Sequence, residues 1–596
     1  MFQTFTATAT PEQGPPRLAA LRGVMARHQL DGFLIPRADA YQGEYVAACD
    51  ARLAWLTGFT GSAGFCTALT HSAGVFIDGR YRTQVKGQVA ADFTPVPWPE
   101  TSLADWLKQE LPKGGTVGFD PWLHTVSEIA RTTQALENTG ITLTRSKNLI
   151  DQIWTDRPAP PMAPVVAHPI AFAGETADSK LTRLAGDLQQ TGHHAAVITQ
   201  PESIMWLLNI RGGDVEHTPL AHCMAILHAD ASVDLFIAAG KLGTLTPPLP
   251  DPVQIHAPDT LLDQIDALTG PVRIDPITAP QILADQLGDQ AVHGPDPCAL
   301  PKARKNPAEI DGAAQAHLRD GAAVVELLAW LDAAQPGTLR EIDVVRQLEH
   351  FRRADNSLKE ISFDTISGTG PNGAIMHYRV TEDSNATLQD GHLLVLDSGG
   401  QYLDGTTDIT RTIAIGTPGD DERAAFTRVL QGMIAMSRLR WPVGLSGREI
   451  ECIGRLPLWL AGQDFNHGLG HGVGAYLGVH EGPQRLARSS DIPLEPGMIL
   501  SNEPGYYREG AFGIRIENLI VVEQAPPLPG GDPERQFLTW RTLTYVPIDR
   551  RLIVTDMLGS EDRAWLNAYH ARVLAQIRPR VSQAAQLWLD AATAPL

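Results

Sequence analysis

The sequence predicts a chain of α/β and α+β class: two related α/β domains in tandem, then an α+β domain built on antiparallel hairpins. Three observations carry this. One order of elements recurs in the first half at an offset of roughly 150–165 residues. Proline-rich segments separate the repeats from each other and from the second half of the chain. From His377 to Asn518, acids and histidines lie among short apolar runs and glycines.

Taking the elements in order, Leu18, Leu21, Val24 and Met25 recur at helical spacing after Arg17, and the strand-like runs Gly32-Phe33-Leu34-Ile35 and Gly74-Val75-Phe76-Ile77 come next. The order returns with Leu181, Leu184 and Leu188, then Ala196-Val197-Ile198, Trp206, and Leu235-Phe236-Ile237. The fragments VGFDP (Val117 to Pro121) and VRIDP (Val272 to Pro276) extend the parallel. The join DRPAPPMAPVVAHP, Asp156 to Pro169, reads as a stiff exposed linker.

A second boundary falls at GPDPCALPKARKNP, where Asn306 can cap a helix with Pro307 at its first position and Glu309 three residues after the cap. Ile310, Ala314, His317, Val324, Leu328 and Leu331 continue that helix at apolar spacing. The expected domains are residues 1–158, 159–303 and 304–596. Thr338 with Glu341 and Ser446 with Glu449 predict two more capped helices, whose apolar residues can cover one face of the hairpins. These elements imply helices outside a curved antiparallel sheet, with acids on its inner surface.

Composition excludes several function classes. The 596 residues carry 68 acidic and 48 basic side chains, a net charge of −20 with no basic run, so no electrostatic footprint for nucleic acid exists. The five cysteines lie singly, which fits reduced packing residues rather than a disulfide framework or a CxxC metal site. The opening MFQTFTATATPEQGPP lacks the basic and apolar regions of a secretory signal, and no apolar run approaches the roughly 18 residues of a membrane span. A cytoplasmic chain without membrane partners is expected. Ser62 sits in Gly-Ser-Ala-Gly but no Gly-x-Ser-x-Gly string is present, which argues against a serine hydrolase.

The chemistry concentrates late. GHLLVLDSGGQYLDGTTDITRTIAI reads as two strands, Leu393 to Leu396 and Ile409 to Ile415, around a turn at Asp404-Gly405. Asp397 and Asp408 lie in these apolar strands, where a carboxylate needs a positive partner. NHGLGHGVGAYLGVHEGP holds His467, His471 and His480 among too many glycines for a regular helix. SNEPGYY supplies Glu503, and the alternation of AFGIRIENLIVV puts Arg515 and Glu517 on one face. Four carboxylates and one neutral imidazole balance two divalent cations, an arrangement suited to hydrolysis. An oxygen-rich set favours Mn2+, with Zn2+ and Co2+ as alternatives.

The order Asp397, Asp408, His471, Glu503, Glu517 within LDSGGQYLDGTTDITRT, HGLGHGVG, NEPGYY and GIRIEN resembles the metallopeptidases of the pita-bread fold. Among these it is most similar to the aminopeptidase P family, which removes an N-terminal residue when proline follows it; IMHYRVTEDSNATL and TLTYVPID continue the match. The resemblance implies two creatinase-like domains before a pita-bread catalytic domain, and a homodimer formed through the last domain. It implies that Asp397 binds one ion, that Asp408 and Glu517 bridge both, and that His471 and Glu503 complete the second. His377, His467 and His480 match positions that touch substrate and stabilise the tetrahedral intermediate, and Glu503 is the expected proton shuttle. Arg80, in DGRYRTQ, and Tyr507 are expected at the substrate, whereas Arg515 is either an ion-pair partner of Glu517 or a substrate-orienting group. The rival readings are a prolidase restricted to Xaa-Pro dipeptides, a methionine aminopeptidase, which is usually a single domain, and a pita-bread scaffold without catalysis.

Overall fold

The repeat in the first half of the sequence is a repeat of sheets. In the computed structural model, which describes residues 1–596, one unit comprises Thr8–Leu300 and a second comprises Met1–Ala7 with Pro301–Leu596. The first unit holds two six-stranded sheets. Their strands run in the spatial orders Thr94–Pro97, Ala73–Ile77, Phe65–Leu69, Gly32–Pro36, Gly115–Phe119, Ile141–Arg145 and Val253–His256, Val233–Phe236, Met224–His228, Ala195–Ile198, Val272–Ile274, Ala291–His293. Directions match as well: Gly32–Pro36 and Ala195–Ile198 each pair antiparallel on the hairpin side and parallel on the other. VGFDP and VRIDP thus supply equivalent parallel strands.

The helical spacings are borne out. Helix Gly14–Arg27 buries Leu18, Leu21, Val24 and Met25, and helix Ala177–Gln190, capped by the Thr176 side chain, buries Leu181, Leu184 and Leu188. The proline-rich join is largely exposed, although Val166–Ala167 pairs with Ile210–Arg211. None of the five cysteines forms a disulfide, and no helix is long and apolar enough to cross a membrane.

The second unit opens with helix Pro307–Asp332. The Asn306 side chain accepts from the Ala308 and Glu309 N–H groups, while the Glu309 carboxylate accepts from the Asn306 N–H. Ser446 and Glu449 form the same box ahead of helix Gly447–Trp459. Such caps are worth about 1 kcal/mol each. The cap expected at Thr338 does not form. That helix spans Glu341–Arg352 and is capped at Arg340, whose N–H donates to Asp343 at 2.9 Å. Glu341 is instead buried as the acceptor for the Thr369 and Ala386 N–H groups, the Asn372 amide and the Tyr378 hydroxyl. Four converging donors outweigh one exposed cap.

Strands Leu393–Ser398 and Ile409–Ala414 form the expected antiparallel hairpin, with Asp397 opposite Thr410, and the shorter Gly400–Tyr402 and Gly405–Thr406 extend it to the turn. Val324, Leu327, Leu328 and Leu331 of the long helix pack on Leu394, Leu396, Ile409 and Ile413. Because side chains alternate along a strand, covering Leu394 and Leu396 turns Asp397 to the opposite face. A six-stranded sheet runs Arg440–Pro442, Phe537–Thr542, Asn518–Gln524, Ile499–Asn502, Gly470–Gly472, Glu481–Leu486.

The first seven residues, expected with residues 1–158, belong to this second unit. Phe5 joins a core with Ile342, Val345 and Tyr378. Gln3 exchanges two hydrogen bonds with the Thr365 backbone, at 3.2 and 2.8 Å.

Candidate metal centre

Each acid reaches the site by a different piece of backbone. Asp397 is held in the hairpin ladder, while Asp408 stands just before the second strand begins. His471 lies in the short strand Gly470–Gly472, where the register shifts after it, and its N–H donates to Ser501 Oγ at 2.9 Å. A side chain at Gly472 would place its Cβ 2.3 Å from the Glu481 carbonyl oxygen, so this close approach requires glycine. Glu503 follows strand Ile499–Asn502.

The continuous run read across Glu517 divides into strands Phe512–Arg515 and Asn518–Gln524. At the break the Ile516 and Glu517 N–H groups donate to Pro504 O and Thr410 O, at 3.3 and 3.1 Å. Glu517 therefore faces the hairpin, and the Thr410 hydroxyl donates to its Oε2 at 2.7 Å.

The structure brings the ligand atoms of Asp408, His471 and Glu517 within 4.8 Å of one another. His471 Nε2 lies 3.5 Å from Asp408 Oδ2 and 3.4 Å from Glu503 Oε1. Asp397 is tied in through Arg515, whose Nη2 donates to its Oδ2 at 2.6 Å. Asp397 Oδ1, Asp408 Oδ1 and Glu517 Oε1 are buried oxygens with no hydrogen-bond partner. Burial, then the neighbouring carboxylates of Glu517, Asp397 and Glu503, push Asp408 well above the usual carboxylate range. Burial, then Glu503 and Asp397, do the same to Glu517. Burial pushes Glu503 up to about 7 against the pull of Arg515. Crowded, desolvated acids with orphaned oxygens are what a divalent cation satisfies. The donor set, four carboxylates and one imidazole, could hold two hard cations.

Around these acids runs a chain of polar contacts. His467 Nδ1 donates to the Gly468 carbonyl at 2.7 Å, which leaves Nε2 to accept from the Tyr507 hydroxyl at 2.9 Å. Tyr507 in turn accepts from Arg515 Nη1 at 2.7 Å. Arg515, expected either beside Glu517 or at the substrate, thus pairs with Asp397. The His480 ring stands perpendicular to His471 with centroids 4.3 Å apart. His377 follows Met376, whose carbonyl accepts from Arg515 at 3.3 Å. Arg80 lies in the other unit, gripped by Asp78 through two parallel contacts at 3.0 and 2.7 Å.

Sequence reasoning missed supporting groups. Thr410 and Ser501 orient Glu517, His471 and Glu503, yet each reads as an ordinary strand residue. Glu481, directly after His480, is buried between two ammonium groups, with Lys305 Nζ 2.5 Å from Oε1 and Lys302 Nζ 2.7 Å from Oε2. The acid in VHEGP was the available signal for this group.

The fold and its histidine-bearing carboxylate cluster are those of a metallopeptidase. Residues 311–524 match metallopeptidase family M24 and residues 536–596 the C-terminal region of that peptidase. Residues 17–153 and 156–309 each match the creatinase/prolidase N-terminal domain. Aminopeptidase P1 of Arabidopsis thaliana is 34% identical, over 97% of this chain and 99% of that protein. The probable Xaa-Pro aminopeptidase P of Talaromyces marneffei is 37% identical, over 94% of this chain and 88% of that protein. Among solved structures, an X-prolyl aminopeptidase from Caenorhabditis elegans superposes with a TM-score of 0.92 at 32% identity, covering 98% of this chain and 100% of that one. It is described as a cytosolic enzyme with a di-nuclear active site. The chain belongs to metallopeptidase family M24, in its aminopeptidase P branch.

Proposed function

We propose that the chain is a metal-dependent Xaa-Pro aminopeptidase, releasing the first residue of peptides that carry proline second. The observation that carries this reading is the convergence of Asp408, His471 and Glu517 beside Glu503 and Asp397, with three orphaned buried carboxylate oxygens. Asp397, Asp408, His471, Glu503 and Glu517 would hold two divalent ions, of which Mn2+ suits the oxygen-rich set best and Zn2+ or Co2+ also fits. When bound, such a pair polarises the scissile carbonyl and supplies water activated near neutral pH.

The chain's own residues do the rest. Proline makes the scissile amide tertiary, so its nitrogen must be protonated to leave, and Glu503 carries that proton. His480 and His377 donate to the oxyanion that develops on the carbonyl. His467 is oriented by Tyr507 and stands 3.9 Å from Glu503 Oε2, where it can support the proton transfer. Arg515 fixes the Asp397 carboxylate and, with Tyr507, forms the substrate-binding set.

The three expected domains, residues 1–158, 159–303 and 304–596, are supported by two sheets of identical strand order, with the first seven residues joining the last domain. A cytosolic location and a homodimer through the last domain complete the proposal; analytical ultracentrifugation tests the latter. The activity test uses metal-stripped protein reloaded with Mn2+, Zn2+ or Co2+. Cleavage of an Xaa-Pro-Xaa tripeptide is expected, with little on Xaa-Ala-Xaa. Preference for an Xaa-Pro dipeptide would favour a prolidase, and no cleavage at all would favour a non-catalytic scaffold.

A further inference from the structure

The two aspartates of the hairpin are not anchored alike. Asp397 lies inside the paired stretch, opposite Thr410, so the ladder fixes its backbone. Asp408 lies in the two-residue break between the paired stretches Gly405–Thr406 and Ile409–Ala414. Its position depends on what holds Thr407.

The Thr407 backbone N–H donates to the Gly400 carbonyl at 2.9 Å, and its side chain is held by a buried ion pair on the covering helices. Asp320, on Pro307–Asp332, and Arg352, at the end of Glu341–Arg352, meet through Nε to Oδ1 at 2.5 Å and Nη2 to Oδ2 at 3.1 Å. Asp320 Oδ2 accepts from the Thr407 hydroxyl at 2.6 Å, and Oδ1 accepts from the Tyr402 hydroxyl at 3.1 Å. Arg352 Nη2 also donates to Ser398 Oγ at 3.0 Å, and Nη1 to the Gly399 carbonyl at 3.2 Å. Ser398 directly follows Asp397, and Thr407 directly precedes Asp408. One ion pair therefore touches the neighbours of both aspartates, from the face opposite the acids.

The surrounding backbone leaves no slack. A Cβ on Gly399 would sit 1.9 Å from the Thr407 carbonyl oxygen and 2.1 Å from Ser362 Oγ. That serine hydroxyl donates to the same Thr407 carbonyl at 2.9 Å. The Thr407 hydroxyl also accepts from the Gly400 N–H at 2.9 Å, which ties the two arms of the hairpin together. A buried ion pair with every oxygen used is a costly way to join two helices, because apolar side chains of similar volume serve stability as well or better.

Resting on the two-metal reading above, we propose that Asp320 and Arg352 are positioning residues that set the spacing of the two aspartates and thereby the affinity for divalent cations. Asp320→Asn and Arg352→Met risk misfolding, so the test uses Thr407→Val and Ser398→Ala, which remove one hydroxyl each. Mn2+ binding to the metal-free protein is measured by titration calorimetry, beside the thermal midpoint of the metal-free protein. Partners behind metal ligands typically change affinity by about 10–100-fold. The expected result is weakening of that order in each variant, recovery in Thr407→Ser, and metal-free midpoints lowered no further than by Val325→Ala. Val325→Ala, a buried site on the same helix, should lower the midpoint and leave Mn2+ affinity alone. Wild-type affinity in the combined Thr407→Val and Ser398→Ala variant would overturn the proposal, as would equal weakening by Val325→Ala. Absence of Mn2+ binding by the wild-type protein would overturn the two-metal reading itself, a different outcome.

Discussion

Replacing Glu481 by glutamine separates the charge logic of this site from its packing. Glu481 neutralises two buried ammonium groups, those of Lys302 and Lys305, and all three side chains are at most 7% exposed. The group thus carries a surplus positive charge. Glu481→Gln leaves two buried cations uncompensated, and removing one partner of a buried pair costs about 3–5 kcal/mol; with two cations stranded, the upper end applies. Lys305→Met leaves Glu481 paired with Lys302 and keeps an apolar stem in place, so its cost is about 1–2 kcal/mol. Urea denaturation of the metal-free protein measures both. Burial alone would raise the Glu481 carboxyl, but Lys302 and Lys305 outweigh it and hold it below its ordinary value of 4.5. A depressed folded value means that this stabilisation is complete above about pH 4.5 and is lost as pH falls through the folded value. Glu481→Gln should flatten that acid limb. Equal costs for the two substitutions, or an unchanged acid limb in Glu481→Gln, would show that charge compensation is not what Glu481 provides.

Other outcomes are equally specific. Asp408→Ala should abolish tripeptide hydrolysis and reduce bound Mn2+, read by kinetics and elemental analysis. His480→Ala should lower kcat by about 10²–10³ with little change in KM, as loss of an oxyanion donor does. Tyr507→Phe breaks the hydroxyl link between Arg515 and His467, worth about 1 kcal/mol or roughly 5-fold in kcat. His570 is wholly buried, accepts from the Ile548 N–H, and is held down to about 3 by burial and then by Arg411 and Arg550. Its folded value lies below the unfolded 6.5, so stability falls as pH drops from about 6.5 to 3, by about 5 kcal/mol in full. His570→Asn, which keeps an acceptor for Ile548, should lessen that slope in thermal melts taken across this range.

Much of the architecture was legible because it is local. The apolar spacings of Leu181, Leu184 and Leu188, the Asn306 and Ser446 caps, and the paired runs around Asp397 are decided within a few residues by geometry that the chain cannot evade. Asp408, His471 and Glu517, which the structure brings together, stand out in their strings. What escaped the sequence is long-range. Nothing local indicates that Gln3 and Phe5 pack some 340–380 positions away, on Thr365 and the core around Ile342 and Tyr378, or that Phe2 packs against Ala316, Leu358 and Tyr402. Thr338 looks like a cap until the donors that claim Glu341 are in view. Alternation placed Arg515 and Glu517 on one face, but not the break between them, which arises because Thr410 and Pro504 take the backbone N–H groups of residues 517 and 516. Asp320 and Arg352 read as a helix-face acid and base until the fold buries them together.

Whether five side chains between Asp397 and Glu517 gather two cations is decided by anomalous diffraction from crystals of the Mn2+-loaded protein, collected at the manganese edge. Two peaks per chain are expected, sharing Asp408 and Glu517, with Asp397 on one and His471 and Glu503 on the other. A catalytically active crystal with no manganese among these residues, or with its manganese held by other side chains, would rule the two-cation centre out.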